Sequence, residues 1–187
     1  MLPEIGGVLP TVAGFVLGVV LAETLAEENA RVGLKWPNDL LYAPDGTTFG
    51  KVAGILGEAK AGAVLLGAGL NFRTAPHDLP VPDADVAFAA TTLLGHPVAA
   101  RSPEWLVTRL VARVVDEWAM LSDHRVPALF RRWERHCIHR DRTIRFRDKN
   151  GAVFEGRFLG LQEDGAAIVA LGGDRRVFYA GELRCFW

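Results

Sequence analysis

From Thr11 to Ala22 the chain is apolar almost without interruption, and a polar face emerges only at Glu23, Glu27 and Glu28. The uncharged run Ile5 to Ala22 is about 18 residues, long enough to raise the question of a membrane span. Gly6, Gly7, Pro10, Gly14 and Gly18 interrupt it, and Glu4 precedes it where a signal peptide carries Lys or Arg. The pattern therefore predicts a core helix starting near Thr11. Arg31–Trp36 follows as a strand, Leu40–Tyr42 as a short extended piece, and Lys51–Gly57 as a returning strand beyond the Asp45-Gly46 turn. Ala63–Asn71 is apolar on both faces, as a central strand should be. The proline-rich stretch Thr74–Val81 reads as a loop and Asp83–Leu94 as a helix.

Ser102-Pro103-Glu104 opens the next helix with a cap, a first-turn proline and an acid near the positive dipole end. Leu106, Leu110, Val114, Trp118 and Leu121 form its buried stripe, with Arg109, Arg113 and Asp116 facing away. A short helix over Pro127–Arg135 follows. From about Asp141 the period becomes two, with strands expected at Thr143–Arg147, Ala152–Leu161, Ala166–Leu171, Arg175–Tyr179 and Leu183–Phe186. Asn150-Gly151, Asp164-Gly165 and Gly172-Gly173-Asp174 are the hairpin turns between the first four. The expected class is α+β, with residues 1–137 forming a mixed sheet with helices and residues 138–187 a small SH3-like β-barrel.

A chain of 187 residues can build one full core and a small appended domain. Its formal net charge of −1 gives no sign of a nucleic-acid coat or a polybasic membrane contact. Cys137 and Cys185 lie far apart without a CxxC, which fits a reducing, cytoplasmic setting better than a disulfide scaffold.

The chemistry concentrates in Lys35-Trp36-Pro37-Asn38-Asp39 and Gly50-Lys51-Val52-Ala53-Gly54-Ile55-Leu56. Joining a carboxylate to a nucleotide α-phosphate brings two anions together, and a compact cation such as Lys51, anchored at a strand start, cancels their repulsion. A strand-end lysine is more often simply solvated, so the neighbouring pattern matters. Asn38 and Asp39 suit either an Asx-turn or phosphate and Mg²⁺ handling, with Asp39 as the hard oxygen ligand. Gly46 to Lys51 is not a P-loop: one residue is missing between the glycines and Val52 has no hydroxyl. Gly67-Ala68-Gly69-Leu70-Asn71 reads as a strand end whose glycines allow close approach of a ligand, with the Asn71 amide available to a base edge. His136-Cys137-Ile138-His139 is too compact to hold a metal and reads as structural.

In that order and spacing, the Lys35–Leu40, Gly50–Leu56 and Gly67–Asn71 motifs resemble those of bacterial biotin–protein ligases, and the resemblance covers nearly the whole chain. It implies a class II synthetase-like (biotin/lipoate ligase-like) catalytic domain with an SH3-like C-terminal domain. It further implies synthesis of biotinyl-5′-AMP from biotin and MgATP, then biotin transfer to a lysine of a biotin carboxyl carrier protein. Matched position by position, Lys51 and Asp39 are the catalytic residues. Lys51, Gly54, Ile55, Leu56, Gly67 and Gly69 line the biotin region. Lys35, Asn38, Asp39, Lys51 and Asn71 serve ATP, with Asp39 the Mg²⁺ ligand.

The family's Gly/Arg-rich biotin loop precedes the first helix, so the resemblance implies a chain lacking that portion and having little activity alone. Arg184-Cys185-Phe186 does not clearly reproduce a basic residue that some members direct at the nucleotide. A homodimer is compatible with the family, whereas DNA binding and membrane association are not expected. The alternatives are a short paralogue that binds nucleotide or carrier without ligating, and a non-enzymatic interaction module.

Overall fold

The computed structural model describes residues 2–3, 10–60, 63–75, 88–122 and 124–185. The uncharged run becomes α1, Pro10–Glu27, and its apolar residues are buried nearly all round. A helix without a polar flank needs cover on every side. Here α1 lies between a sheet and two further helices, α2 (Pro103–Met120) and α3 (Val126–His136). Among the described residues no helix is long and apolar enough to cross a membrane.

The first sheet contains β1 (Leu2–Pro3), β2 (Val32–Lys35), β3 (Asp39–Tyr42), β4 (Gly50–Lys60) and β5 (Ala63–Leu70), ordered β1-β5-β4-β3-β2. Among the described residues every strand-to-strand pairing is antiparallel, and parallel geometry is confined to isolated bridges at Leu34–Cys137 and Lys51–Ala90, so the sheet is not the mixed one predicted. Nor is β5 buried on both faces: Val64 is covered, whereas Leu65, Gly67, Ala68 and Gly69 are exposed. One face packs on α1, where a Cβ added at Gly18 would lie only 3.3 Å from the Ile55 side chain. The other face of β4 and β5 is open among the described residues.

The predicted helix Asp83–Leu94 is corrected over its described part. Phe88–Leu93 is non-helical and runs beside β4, with Lys51 N donating to Ala89 O, Thr91 N to Lys51 O and Leu93 N to Asn71 O. These tertiary hydrogen bonds, with β-branched Thr91 and Thr92, override the helical pattern. Residues 83–87 of that helix, and 76–81 of the predicted loop, lie outside the described residues.

α2 starts as predicted, with Ser102 Oγ accepting from Trp105 N. Its arginines do not face away, however. Arg109 and Arg113 turn to α1, pairing with Glu27 at 2.6 and 2.9 Å. The C-terminal strands are β6 (Thr143–Asp148), β7 (Val153–Leu161), β8 (Ala167–Leu171), β9 (Asp174–Phe178) and β10 (Gly181–Cys185), ordered β10-β6-β7-β8-β9. β9 and β10 do not pair, so this is an open antiparallel sheet rather than a closed barrel. Its buried Ile144, Phe146, Phe158 and Val169 join one hydrophobic cluster with α1, α3 and the first sheet.

Candidate functional site

The β2–β3 turn places two opposite charges on one face. Lys35 and Asp39 are cross-strand partners, and Lys35 Nζ donates to Asp39 Oδ2 at 2.8 Å. Both side chains are buried, Lys35 to 5% exposure and Asp39 to 10%. Asp39 Oδ1 lies 2.6 Å from Lys51 Nζ as an ion pair, its angle outside hydrogen-bond geometry. Lys51 is 44% exposed, so the triad runs from a buried ammonium, through a buried carboxylate, to a lysine that reaches solvent. A buried acid between two cations satisfies its own charge and fixes the direction of the outer one.

Asn38 and Asn71 hold backbone in place around the triad. Asn38 Nδ2 donates to Ile55 O at 2.9 Å, while Ile55 N donates to Asn38 O, which clamps the turn to β4. Asn71 Nδ2 donates to Thr91 O at 3.0 Å and, more weakly, to Lys51 O at 3.4 Å. The sequence places both asparagines at the nucleotide, and in the structure their amide donors secure the strands that carry Lys51. Lys35 is sealed beneath Asp39, so its charge acts through that carboxylate.

Gly54 pairs directly with Gly69, and Leu56 with Gly67, so these four residues share the open sheet face. The Lys51 ammonium stretches along this surface, 3.5 Å from where a Cβ on Gly54 would sit. At Gly67 and Gly69 an added Cβ would meet nothing within 4 Å, and neither has the positive φ that favours glycine. Nothing in the described fold requires glycine at either position. A bare backbone there leaves room for a flat ligand to lie against the strands. Leu56, 73% exposed on the same surface, offers an apolar contact. Ile55 differs from its neighbours: it is buried beneath the sheet against α1.

Two contributors were not legible in the sequence. Phe88–Leu93 pins the backbone on either side of Lys51. Arg184 of β10 then lies over the Phe88 ring at 5.5 Å, which brings the C-terminal sheet to that segment. The sequence hints were the pair of β-branched threonines at 91 and 92 and the basic Arg184, which did not clearly match the motif. A cavity of about 420 Å³ opens nearby between Phe15, Asn38, Leu56, Gly165 and Tyr179. It does not include Lys51, Gly67 or Gly69, which lie on open surface instead of in an enclosed pocket.

The two histidines of the segment 136–139 have different surroundings. His139 is fully buried, with its ring edge-on to Phe158 at 4.2 Å and to Trp133 at 6.0 Å, and neither ring nitrogen has a hydrogen-bond partner. Burial, reinforced by the nearby Lys35 charge, lowers its pKa to about 3. His136 faces Glu23 at 4.0 Å, and burial lowers its pKa also. Among the described residues no group of three or more His, Cys, Asp or Glu is placed to hold a metal ion.

Residues 139–183 match the family described as Biotin protein ligase C terminal domain. Over 181 residues the chain is 30% identical to the biotin–[acetyl-CoA-carboxylase] ligase of Mycobacterium tuberculosis, covering 95% of this chain and 62% of that protein. It is 28% identical to the ligase of that name from Paracoccus denitrificans over 190 residues, covering 97% and 75% of the two chains. Among solved structures it is similar to the biotin protein ligase of Aquifex aeolicus in complex with biotin and ATP. The TM-score is 0.71 at 22% identity, with 96% of this chain and 73% of that chain covered, a likeness that speaks for the fold. A biotin protein ligase-like protein of unknown function from Silicibacter sp. matches with a TM-score of 0.66 at 16% identity, covering 90% and 70%.

Proposed function

We propose that this chain is a member of the biotin protein ligase family and attaches biotin to a lysine of a biotin carboxyl carrier protein at the expense of ATP, a reading supported by its similarity to those ligases. The observation that carries the proposal is the meeting of the Lys51–Asp39–Lys35 triad with the bare face of Gly54, Gly67 and Gly69. In the first step a biotin carboxylate oxygen attacks the α-phosphorus of ATP. The bond to the β-phosphate oxygen breaks, pyrophosphate leaves, and biotinyl-5′-AMP remains. In the second the carrier lysine's amine attacks the acyl carbon, the bond to the phosphate oxygen breaks, and AMP leaves with the displaced electron pair.

Lys51 is suited to both steps because it can sit between the carboxylate and the α-phosphate, where negative charge accumulates. Asp39 aims that ammonium, and Lys35, 2.8 Å from its other oxygen, holds the carboxylate in place. The glycine face receives the ligand's flat ring system. Asn38 and Asn71 act as positioning residues for the turn and for the Lys51 backbone. Mg²⁺ fits only as a companion of the nucleotide. Asp39 already engages an ammonium with each oxygen, so the phosphates would supply most of the metal's ligands. We place the boundary between catalytic and C-terminal, SH3-like units at residues 137 and 138, and the protein in the cytoplasm, where ATP and carrier meet.

The test is calorimetric titration of the chain with a non-hydrolysable biotinyl-5′-AMP analogue, beside Gly67→Val. Valine suits a strand and meets no neighbour there, so the variant should keep its thermal stability yet lose binding. Failure of the parent chain to bind the analogue, or equal binding by Gly67→Val, would overturn the assignment of this face.

A further inference from the structure

A second concave surface lies where the sheet edge meets the end of α3. A cavity of about 390 Å³ is lined by Arg31 beside β2, Arg135 at the end of α3, and Arg140 and Arg142 beyond it. No acidic residue lines it among the described residues, in a chain whose formal net charge is −1. Val32, Phe49 and Ile138 complete its wall, and such apolar neighbours strengthen any charge interaction made inside.

Ordinary structural roles explain only part of this cluster. A helix C-terminus favours cations, which accounts for Arg135 and His136. Glu134 and Asp141 hold Arg140. Arg31 comes from a different element, and neither Arg31 nor Arg135 has an ion-pair partner among the described residues. Three separate stretches of chain thus bring guanidinium groups to one concavity, with two of those groups uncompensated. Guanidinium forks match the paired oxygens of phosphate better than they match water or a lone carbonyl.

We propose that this groove is a second anion site, separate from Lys51, which binds a phosphate-bearing small molecule through Arg31 and Arg135. The shared chemistry is a di- or polyphosphate, either free or as the tail of a nucleotide. This site stands whether or not the chain ligates biotin, because it uses none of the residues placed at the triad or the glycine face.

Calorimetric titrations with sodium pyrophosphate, ATP and AMP test it, at about 0.15 M salt so that diffuse surface attraction is screened. The proteins are the 187-residue chain, Arg31→Ala, Arg135→Ala, Arg135→Glu and Lys51→Ala, each checked for folding by circular dichroism. Pyrophosphate should bind the parent chain, weaken about tenfold with either alanine variant and weaken further with Arg135→Glu, while Lys51→Ala, which removes only binding at the triad, should leave a pyrophosphate site behind. Sensitivity of ATP but not pyrophosphate to the groove variants would identify a nucleotide tail as the source and leave the site standing. Phosphate binding that ignores all three groove variants, that responds only to Lys51→Ala, or that is absent from the parent chain would overturn the proposal.

Discussion

At the scale of single residues, Asp39 separates stability from chemistry. Removing it strands the buried Lys35 ammonium, so Asp39→Ala should cost about 3 kcal/mol in urea denaturation. Lys51→Ala removes only the exposed end of the triad and should change stability by less than about 1 kcal/mol. In biotin-dependent ATP–pyrophosphate exchange by a chain that carries the family's biotin loop, the contrast inverts: Lys51→Ala should lower the rate about a hundredfold, because one preorganised charge at the phosphoryl centre is lost. Lys51→Arg should recover only part of it, since a planar fork does not replace a point charge. Exchange undiminished in Lys51→Ala would remove Lys51 from the chemistry. His139 sets a different expectation. Its folded pKa of about 3 lies below its unfolded value of 6.5, so between these limits the unfolded chain binds the extra proton. Stability is therefore full above pH 6.5 and falls as pH drops, by about 1.4 kcal/mol per unit from this residue. Burial shifts His136 the same way, so it adds to the slope. The difference between parent and His139→Phe isolates one proton: denaturation between pH 7 and pH 5 should show a flatter slope in the variant. Equal slopes would mean that His139 is protonated in the fold. Lys51 and Asp39 were legible as candidates from their motif, whereas the order of the triad was not, because it depends on a cross-strand register.

At the scale of elements, helices and strands with strong periodicity were readable because burial imposes the period. α1, α2, α3 and the five C-terminal strands fall close to their predicted bounds. What the pattern could not supply was the partner of each face. Arg109 and Arg113 are polar positions on an amphipathic helix, and only the placement of α1 beside α2 turns them toward Glu27. Phe88–Leu93 failed as a helix because its backbone groups bond to β4 and to Asn71, which no local signal encodes. Closure of the C-terminal barrel failed for a similar reason: hairpin turns specify neighbours, not whether β9 and β10 meet. The arginine lattice on α1 also gives a graded prediction. Arg132 bonds to Glu23 at 2.8 Å and to Glu117 at 2.7 Å, and is 24% exposed. The hydrogen bonds that Arg132 donates to Glu23 raise the Arg132 pKa against the effect of burial. Burial opposes ionisation of Glu23, yet Arg132 outweighs it and holds that carboxyl below its ordinary range. Arg132→Ala should cost about 2 kcal/mol, because it leaves two part-buried acids side by side. Arg109→Ala, at a pair open to water on both sides, should cost less than about 1 kcal/mol. Equal costs in thermal denaturation would show that screening, not burial, governs the lattice.

At the scale of the whole molecule, the two sheets share one interior, and residue 165 is where that sharing is most exacting. Trp36 Nε1 donates to Gly165 O at 3.0 Å, so the residue between Lys35 and the cis Trp36–Pro37 peptide's proline is tied to the β7–β8 hairpin. Phe15 of α1 packs on the same glycine, and the Trp36 and Phe146 rings lie 6.0 Å apart. The turn carrying Asp39 is therefore braced from the C-terminal sheet, while Arg184 reaches the segment beside Lys51. Truncation would test the connection crudely, because it uncovers Trp36, Trp133 and Phe15 at once. A pair of glycine variants is sharper. Gly151 and Gly165 have similar positive φ, +84 and +88, so alanine introduces comparable backbone strain at each, roughly 1 kcal/mol. At Gly151 the new Cβ meets open space, whereas at Gly165 it lies 2.7 Å from the Phe15 ring. Gly165→Ala must therefore also push α1 and the hairpin apart, and overpacking of this kind costs about 1–3 kcal/mol more. The expected result is a modest stability loss in Gly151→Ala with analogue binding intact. Gly165→Ala should lose more stability and also bind the biotinyl-5′-AMP analogue more weakly, although it lies far in sequence from Lys51. If binding survives unchanged in a folded Gly165→Ala, the C-terminal sheet is an appended unit and the site is held by the first sheet alone.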